Sequence, residues 1–216
     1  VSLLSSKDWL ASGHASEHLA AIGATAVPQL VERLSGGRLK SRRLAGETLR
    51  RMGPRAGKAI PELLRLLNAD DQKVAAISAR VLGGQGVAAV SGLSDCLDSP
   101  RKHTRRLAVV ALGELGAASG AVSCRLSKEL RVATGQELLQ LVTALGRIGS
   151  TAGVAVPGLV VALGDENQDV RGAACEALGR IGLRSRSVVH GLGKVAQSDP
   201  IDFVRLPLAA LVGWLF

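Results

Sequence analysis

A Leu-Gly-x-Ile/Leu-Gly signature closes one stretch of this chain after another: Leu112-Gly113-Glu114-Leu115-Gly116, Leu145-Gly146-Arg147-Ile148-Gly149 and Leu178-Gly179-Arg180-Ile181-Gly182. Looser copies begin at Leu19, Leu49 and Leu82, so the leading leucines advance in steps of 30 or 33 residues. A second ladder runs through Leu30, Leu63, Leu93, Leu126, Leu159 and Leu192 with steps of the same two sizes. A fixed period in this range marks a stacked-repeat architecture, because each unit is too small to bury its apolar face alone. It also bears on function, since such stacks build extended surfaces for gripping other macromolecules.

Residues 153–182 give the clearest unit. Val156-Pro157 opens a helix, where the N–H that proline lacks would have had no partner. Val156, Leu159, Val160 and Leu163 recur at helical steps and make one apolar face. Gly164-Asp165-Glu166-Asn167 breaks this helix and caps the next. In the second helix Val170, Ala174, Ala177, Leu178 and Ile181 share a face, and Gly182 supplies a left-handed stop. The three residues missing from the shorter units always fall between the glycine stop and the next first helix, as expected of an inter-repeat loop. The spacing therefore predicts an all-α fold, an α-solenoid of stacked antiparallel helix pairs. It forms a single domain over 1–216: a partial repeat (1–23) and six repeats (about 24–53, 54–86, 87–116, 117–149, 150–182 and 183–216).

The run Val156-Pro157-Gly158-Leu159, Leu163-Gly164-Asp165, Val170-Arg171, Ala173-Ala174 and Ala177 to Gly182 resembles a HEAT repeat, in the short bacterial form found in phycobilin lyases and many scaffold proteins. The resemblance implies a fold and leaves the task open, because this architecture serves many. It also implies a buried Asp–Arg ladder along the stack. Arg42, Arg105, Arg171 and Arg205 match its arginine, Ala75 and Leu138 do not, and only Asp165 and Asp199 sit at the aspartate spacing. The ladder is thus expected to be broken, with stability resting on apolar stacking.

Composition narrows the function classes. The net charge is +9, and residues 1–108 hold 17 Lys/Arg against 9 Asp/Glu, so one half is markedly basic and suits acidic partners. Cys96, Cys124 and Cys175 are odd in number and widely spaced, which reads as ordinary helix residues in a reducing, cytoplasmic compartment. No apolar run approaches the ~18 residues of a membrane span. His14-Ala15-Ser16-Glu17-His18 formally matches an inverted zinc-peptidase motif, yet no further acidic ligand is marked and Gly13 weakens the local helix. Gly83-Gly84-Gln85-Gly86 lacks the lysine of a phosphate loop and reads as helix-stop glycines. His103, placed in a turn, and His190 read as solvated. No catalytic residue, metal ligand or cofactor is expected.

The candidate surface is basic. Arg38, Lys40, Arg42 and Arg43 cluster in one turn, and Arg101, Lys102, Arg105 and Arg106 in the equivalent turn two pairs later, with Lys73 between. Stacked turns would form a ridge about 20 Å long if repeats rise about 10 Å each. The resemblance implies that second helices line a concave face, to which Arg51, Arg147 and Arg180 contribute, interrupted by Glu47, Glu114 and Glu176. A mixed stripe fits a protein ligand better than a nucleic-acid backbone, which prefers unbroken positive charge. The expected function is a non-enzymatic protein-binding scaffold or assembly subunit that holds an acidic or extended segment. Sequence-nonspecific nucleic-acid binding and chromophore handling of the phycobilin-lyase type are the alternatives. Finally, the chain reads as starting inside a first helix. Leu208, Leu211, Val212, Trp214, Leu215 and Phe216 exceed what one helix stripe can bury, so a further repeat or a partner is expected to cover Leu211, Trp214, Leu215 and Phe216.

Overall fold

The computed structural model describes residues 23–182 together with His18, and among them every regular element is helical. The carboxyl-terminal group Leu211, Trp214, Leu215 and Phe216, the ladder residues Asp199 and Arg205, His190, and all of the His14–His18 motif except the exposed His18 lie outside the described residues. The chain divides into two compact units, Val1–Leu115 and Gly116–Phe216. The first contains α1 (Val27–Gly36) with α2 (Leu39–Met52), α3 (Ile60–Leu67) with α4 (Gln72–Leu82), and α5 (Val90–Cys96) with α6 (Lys102–Leu115). The second contains α7 (Ser123–Glu129) with α8 (Gly135–Ile148), and α9 (Val156–Ala162) with α10 (Gln168–Ile181). Within the first unit α2 packs on α4 and α4 on α6, while α1 meets α3 and α3 meets α5. Within the second, α8 lies along α10.

The leucine ladders form the core. Leu30, Leu63, Leu93, Leu126 and Leu159 on the first helices are fully buried, as are Leu49, Leu82, Leu112 and Leu145 on the second, and Leu178 is 2% exposed. Val170, Ala174, Ala177 and Ile181 are buried with them, so the face read from the clearest unit is the face that packs. The two longest apolar stretches, 102–129 and 135–162, satisfy membrane-span criteria only as continuous rods. Each is broken into two helices by a 3-10 segment, and its ladder leucines, Leu112 and Leu126 in one and Leu145 and Leu159 in the other, are fully buried.

The connection between repeats is a 3-10 helix rather than a loop. It begins at the signature glycine each time: Gly23–Ala26, Gly53–Ala59, Gly86–Ala89, Gly116–Val122 and Gly149–Ala155. Two of these have four residues and three have seven. The difference of three residues is one turn of a 3-10 helix, which has 3.0 residues per turn. The longer connectors hold three more residues, and after each connector the ladder leucine of the next first helix is fully buried. The two connector lengths match the two steps of the period, 30 and 33. All six closing glycines, Gly23, Gly53, Gly86, Gly116, Gly149 and Gly182, have φ between 54° and 78°. A side chain is strained at such φ, so the stop itself dictates glycine.

Candidate partner-binding surface

In the first unit, the turns between first and second helices are tied to one another. Asp71 caps α4 by accepting from the Lys73 N–H at 3.0 Å and the Val74 N–H at 3.3 Å. The same carboxylate accepts from Nη1 of Arg42, one repeat earlier, and Arg42 also donates to the Ser35 carbonyl at 3.3 Å. One repeat later, Arg101 donates to the Asn68 carbonyl at 2.6 Å and to Asp70 Oδ1 at 2.8 Å, while Ser99 donates to Asn68 Oδ1 at 3.3 Å. Three successive turns are therefore neighbours. The Arg42 hydrogen bond, then the two backbone N–H bonds, hold the Asp71 carboxyl below the usual carboxylate range.

These contacts revise the expected ladder. Arg105 donates to the carbonyls of Ser99 and Pro100 at 2.8 and 3.2 Å, and Arg171 to those of Asp165 and Glu166 at 3.1 and 3.0 Å. Here the recurring arginine closes its own turn by donating to main-chain carbonyls of that turn. Asp165 turns inward instead, accepting from the Asn167 N–H at 2.9 Å, and Asn167 caps α10 through the Asp169 N–H at 2.9 Å. Asp70 and Asp71, which cross between repeats, are not at the family spacing. His103 lies on α6 rather than in a turn, because the helix starts at Lys102.

Asp71→Asn separates the two roles of that side chain. Asparagine caps a helix as well as aspartate does, but it offers no charge to Arg42. A carboxyl whose folded pKa is depressed stabilises above its unfolded value and loses that contribution as pH falls through the folded one. The stability gap between the native chain and Asp71→Asn is therefore expected to be constant near neutrality and to close below about pH 4. Urea midpoints at pH 7 and pH 3 measure it; a gap of equal size at both would remove the ion pair as its cause.

The structure sorts the basic residues by what already neutralises them. Arg101 is tied to Asp70, and Arg42 to Asp71. On the second helices, Arg51 pairs with Glu47 at 3.1 Å, and Arg50 shares that carboxylate at 2.9 Å. The Arg50 hydrogen bond, acting against partial burial and aided by Arg51, lowers the Glu47 pKa. Arg180 pairs with Glu176 at 2.6 Å. Lys40 and Lys102 are exposed and Arg106 is half-buried, and all three have neighbours of their own. Arg38, Arg43 and Lys73 are exposed, and their side chains have no ion-pair partner among the described residues. The same holds for Arg147 on α8. In the second unit Arg147 and Arg180 come together on one open cleft, lined also by Thr143, Gly146, Ala173, Glu176 and Ala177. Among the described residues no three His, Cys, Asp or Glu side chains gather as metal ligands would. Cys96 and Cys175 are buried, and Cys124 is exposed.

Residues 126–212 match the family model for HEAT repeats. No curated protein matches the chain in sequence. Among solved structures, the complex of CpcE and CpcF of phycocyanin lyase from Nostoc sp. PCC7120 is similar at a TM-score of 0.60 and 18% identity, over 71% of this chain and 98% of that one. The HEAT-like repeats protein of the archaeon Thermococcus onnurineus NA1 matches at 0.59 and 15%, over 96% and 93%. A designed armadillo repeat protein in complex with the peptide (KR)4 matches at 0.59 and 20%, over 88% and 99%. At these identities the likeness is one of fold. The class is that of helical-repeat proteins built from stacked antiparallel pairs. Within it, residues 126–212 carry HEAT repeats, and the rest of the described chain shares the helical-repeat fold.

Proposed function

We propose that this HEAT-repeat chain is a non-enzymatic, cytoplasmic protein-binding scaffold or assembly subunit. It holds an acidic, extended segment of another protein across the turns of its first unit and the exposed faces of its second helices. The observation that carries the reading is the selective neutralisation of the surface. Arg42, Arg101, Arg51 and Arg180 are consumed by Asp71, Asp70, Glu47 and Glu176. Arg38, Arg43 and Lys73 stand exposed in or beside adjacent turns without a carboxylate among the described residues. Each exposed cation adds little alone, but an extended polyanion meets them together. Two of the similar structures, with CpcF and with the peptide (KR)4, have a protein or peptide bound, which accords with this use of the fold.

The test is fluorescence anisotropy with a labelled oligo-glutamate peptide. The triple variant Arg38→Glu, Arg43→Glu, Lys73→Glu is expected to bind about tenfold more weakly or worse, since exposed pairs contribute up to about 1 kcal/mol each. Native binding should weaken with salt, which screens exposed charges. Arg55→Glu with Lys58→Glu, exposed cations on the Gly53–Ala59 connector, serves as control. Equal affinity for the triple variant and the control would discard this surface. Much tighter, steeply salt-dependent binding of single-stranded DNA would transfer the function to nucleic acid.

A further inference from the structure

Two of the five described second helices carry the same ion pair. Glu47 and Arg51 on α2, and Glu176 and Arg180 on α10, are four residues apart and bonded at 3.1 and 2.6 Å. Stepping by the 30- and 33-residue period, the equivalents on α8 are Thr143 and Arg147. Here threonine replaces the carboxylate. The Thr143 hydroxyl donates to the Leu139 carbonyl at 2.8 Å, leaving its oxygen only to accept. Arg147 is exposed and has no ion-pair partner among the described residues. An open cleft of about 100 Å³ lies beside Thr143 and Arg147, lined by Gly146, Ala173 and Ala177, with Glu176 and Arg180 also on it. Two guanidinium groups and one carboxylate leave this cleft with one excess positive charge.

We propose that the cleft between α8 and α10 is a carboxylate site. Arg147 takes one Asp or Glu side chain of the acidic partner segment, in the position that Glu47 and Glu176 hold for Arg51 and Arg180. This rests on the partner reading above, and it assigns that partner a single acidic side chain at a defined place. A guanidinium presents parallel N–H groups that match a carboxylate. The small residues lining the cleft give the side chain room to enter. A second acidic side chain is repelled by Glu176, which already occupies Arg180.

The decisive variant is Thr143→Glu. It places on α8 the pair seen on α2 and α10, so Arg147 is neutralised from within its own helix while every cation is kept. Glutamate is a good helix former and Thr143 is only half-buried, so the fold is preserved. Labelled oligo-glutamate is expected to bind Thr143→Glu about fivefold more weakly than the native chain, the upper range for an exposed pair. Thr143→Gln, equal in size and uncharged, should stay within about twofold of native on the same scale, and Arg147→Gln should match Thr143→Glu. In ¹H–¹⁵N spectra the Arg147 side-chain Nε–H should shift on titration with the peptide, and that of Arg125 should not. If the peptide binds but Thr143→Glu and Thr143→Gln have equal affinity and Arg147 Nε–H is still, the cleft assignment is wrong and the scaffold reading stands. If the native chain binds no oligo-glutamate at all, both fall.

Discussion

Leu145→Ala is expected to remove about 2–5 kcal/mol of stability, the range for a fully buried leucine whose surroundings relax only in part. Leu145 is 0% exposed, like its equivalents Leu49, Leu82 and Leu112, and sits on α8 where that helix packs along α10. The cost has two parts: transfer of the lost methyl groups, and the cavity left between helices that cannot collapse onto it. Val161 supplies the contrast, being apolar and carried by α9 but 78% exposed, so Val161→Ala should change stability by no more than about 0.5 kcal/mol. Urea unfolding followed by helical circular dichroism measures both. In a repeat stack stability is nearly a sum of unit and neighbour terms, so the loss at Leu145 should concentrate in the second unit. Amide exchange is expected to accelerate in α7 to α10 more than in α1 to α4. A Leu145→Ala chain as stable as Val161→Ala would mean that the ladder read from the sequence does not mark the core.

The leucines and glycines were legible because their causes are local and periodic. A buried leucine every 30 or 33 residues and a glycine at each positive φ follow from burial and backbone sterics, which act on the residue itself. The capping role of Asn167 was legible for the same reason. The connectors were misread as loops because a 3-10 turn of small residues such as Gly116–Val122 carries no amphipathic pattern, and only the three-residue quantum of the period betrays it. The arginine at the start of the second helices was visible, but its partner was not. Arg105 and Arg171 bond to main-chain carbonyls, which any sequence supplies, so no partner residue advertises the contact. Arg42 and Asp71 are 29 residues apart, and nothing local couples them. The pairs Glu47–Arg51 and Glu176–Arg180 were within reach, since four-residue spacing on a helix brings side chains together. Reading that spacing down the repeats would also have shown α8 as the second helix that keeps the arginine, Arg147, but has Thr143 in place of the carboxylate. For function this means that counting basic residues overstates the surface. What a partner meets is the remainder after the turns and helices have neutralised their share.

Gly146→Ala pits two principles against each other and is the sharper test of how the stack is built. By helix propensity alone, alanine for glycine inside a helix stabilises by up to about 1 kcal/mol. Packing opposes it. A Cβ at position 146 would stand 2.8 Å from Ala177 Cα and 2.9 Å from Ala177 Cβ. Backbone, unlike the end of a long side chain, cannot swing aside. To admit one methyl group α8 and α10 must move apart along their shared face, loosening the contacts that bury Leu145 and Leu178. Overpacking of this kind costs about 1–3 kcal/mol, so packing outweighs propensity and the variant should melt below the native chain. Ala177→Trp attacks the same contact from the other helix and should be at least as damaging. Gly36→Ala isolates the propensity term. Gly36 ends α1, its φ is not positive, and nothing lies within 4 Å of where its Cβ would be. That substitution should stabilise by about 0.5–1 kcal/mol. Opposite signs for the two Gly→Ala changes, read as melting temperatures under one condition, are the expected result. If Gly146→Ala also stabilises, the second helices are not in the close contact that the period and the small residues imply, and the cleft beside Arg147 loses the floor on which its geometry depends.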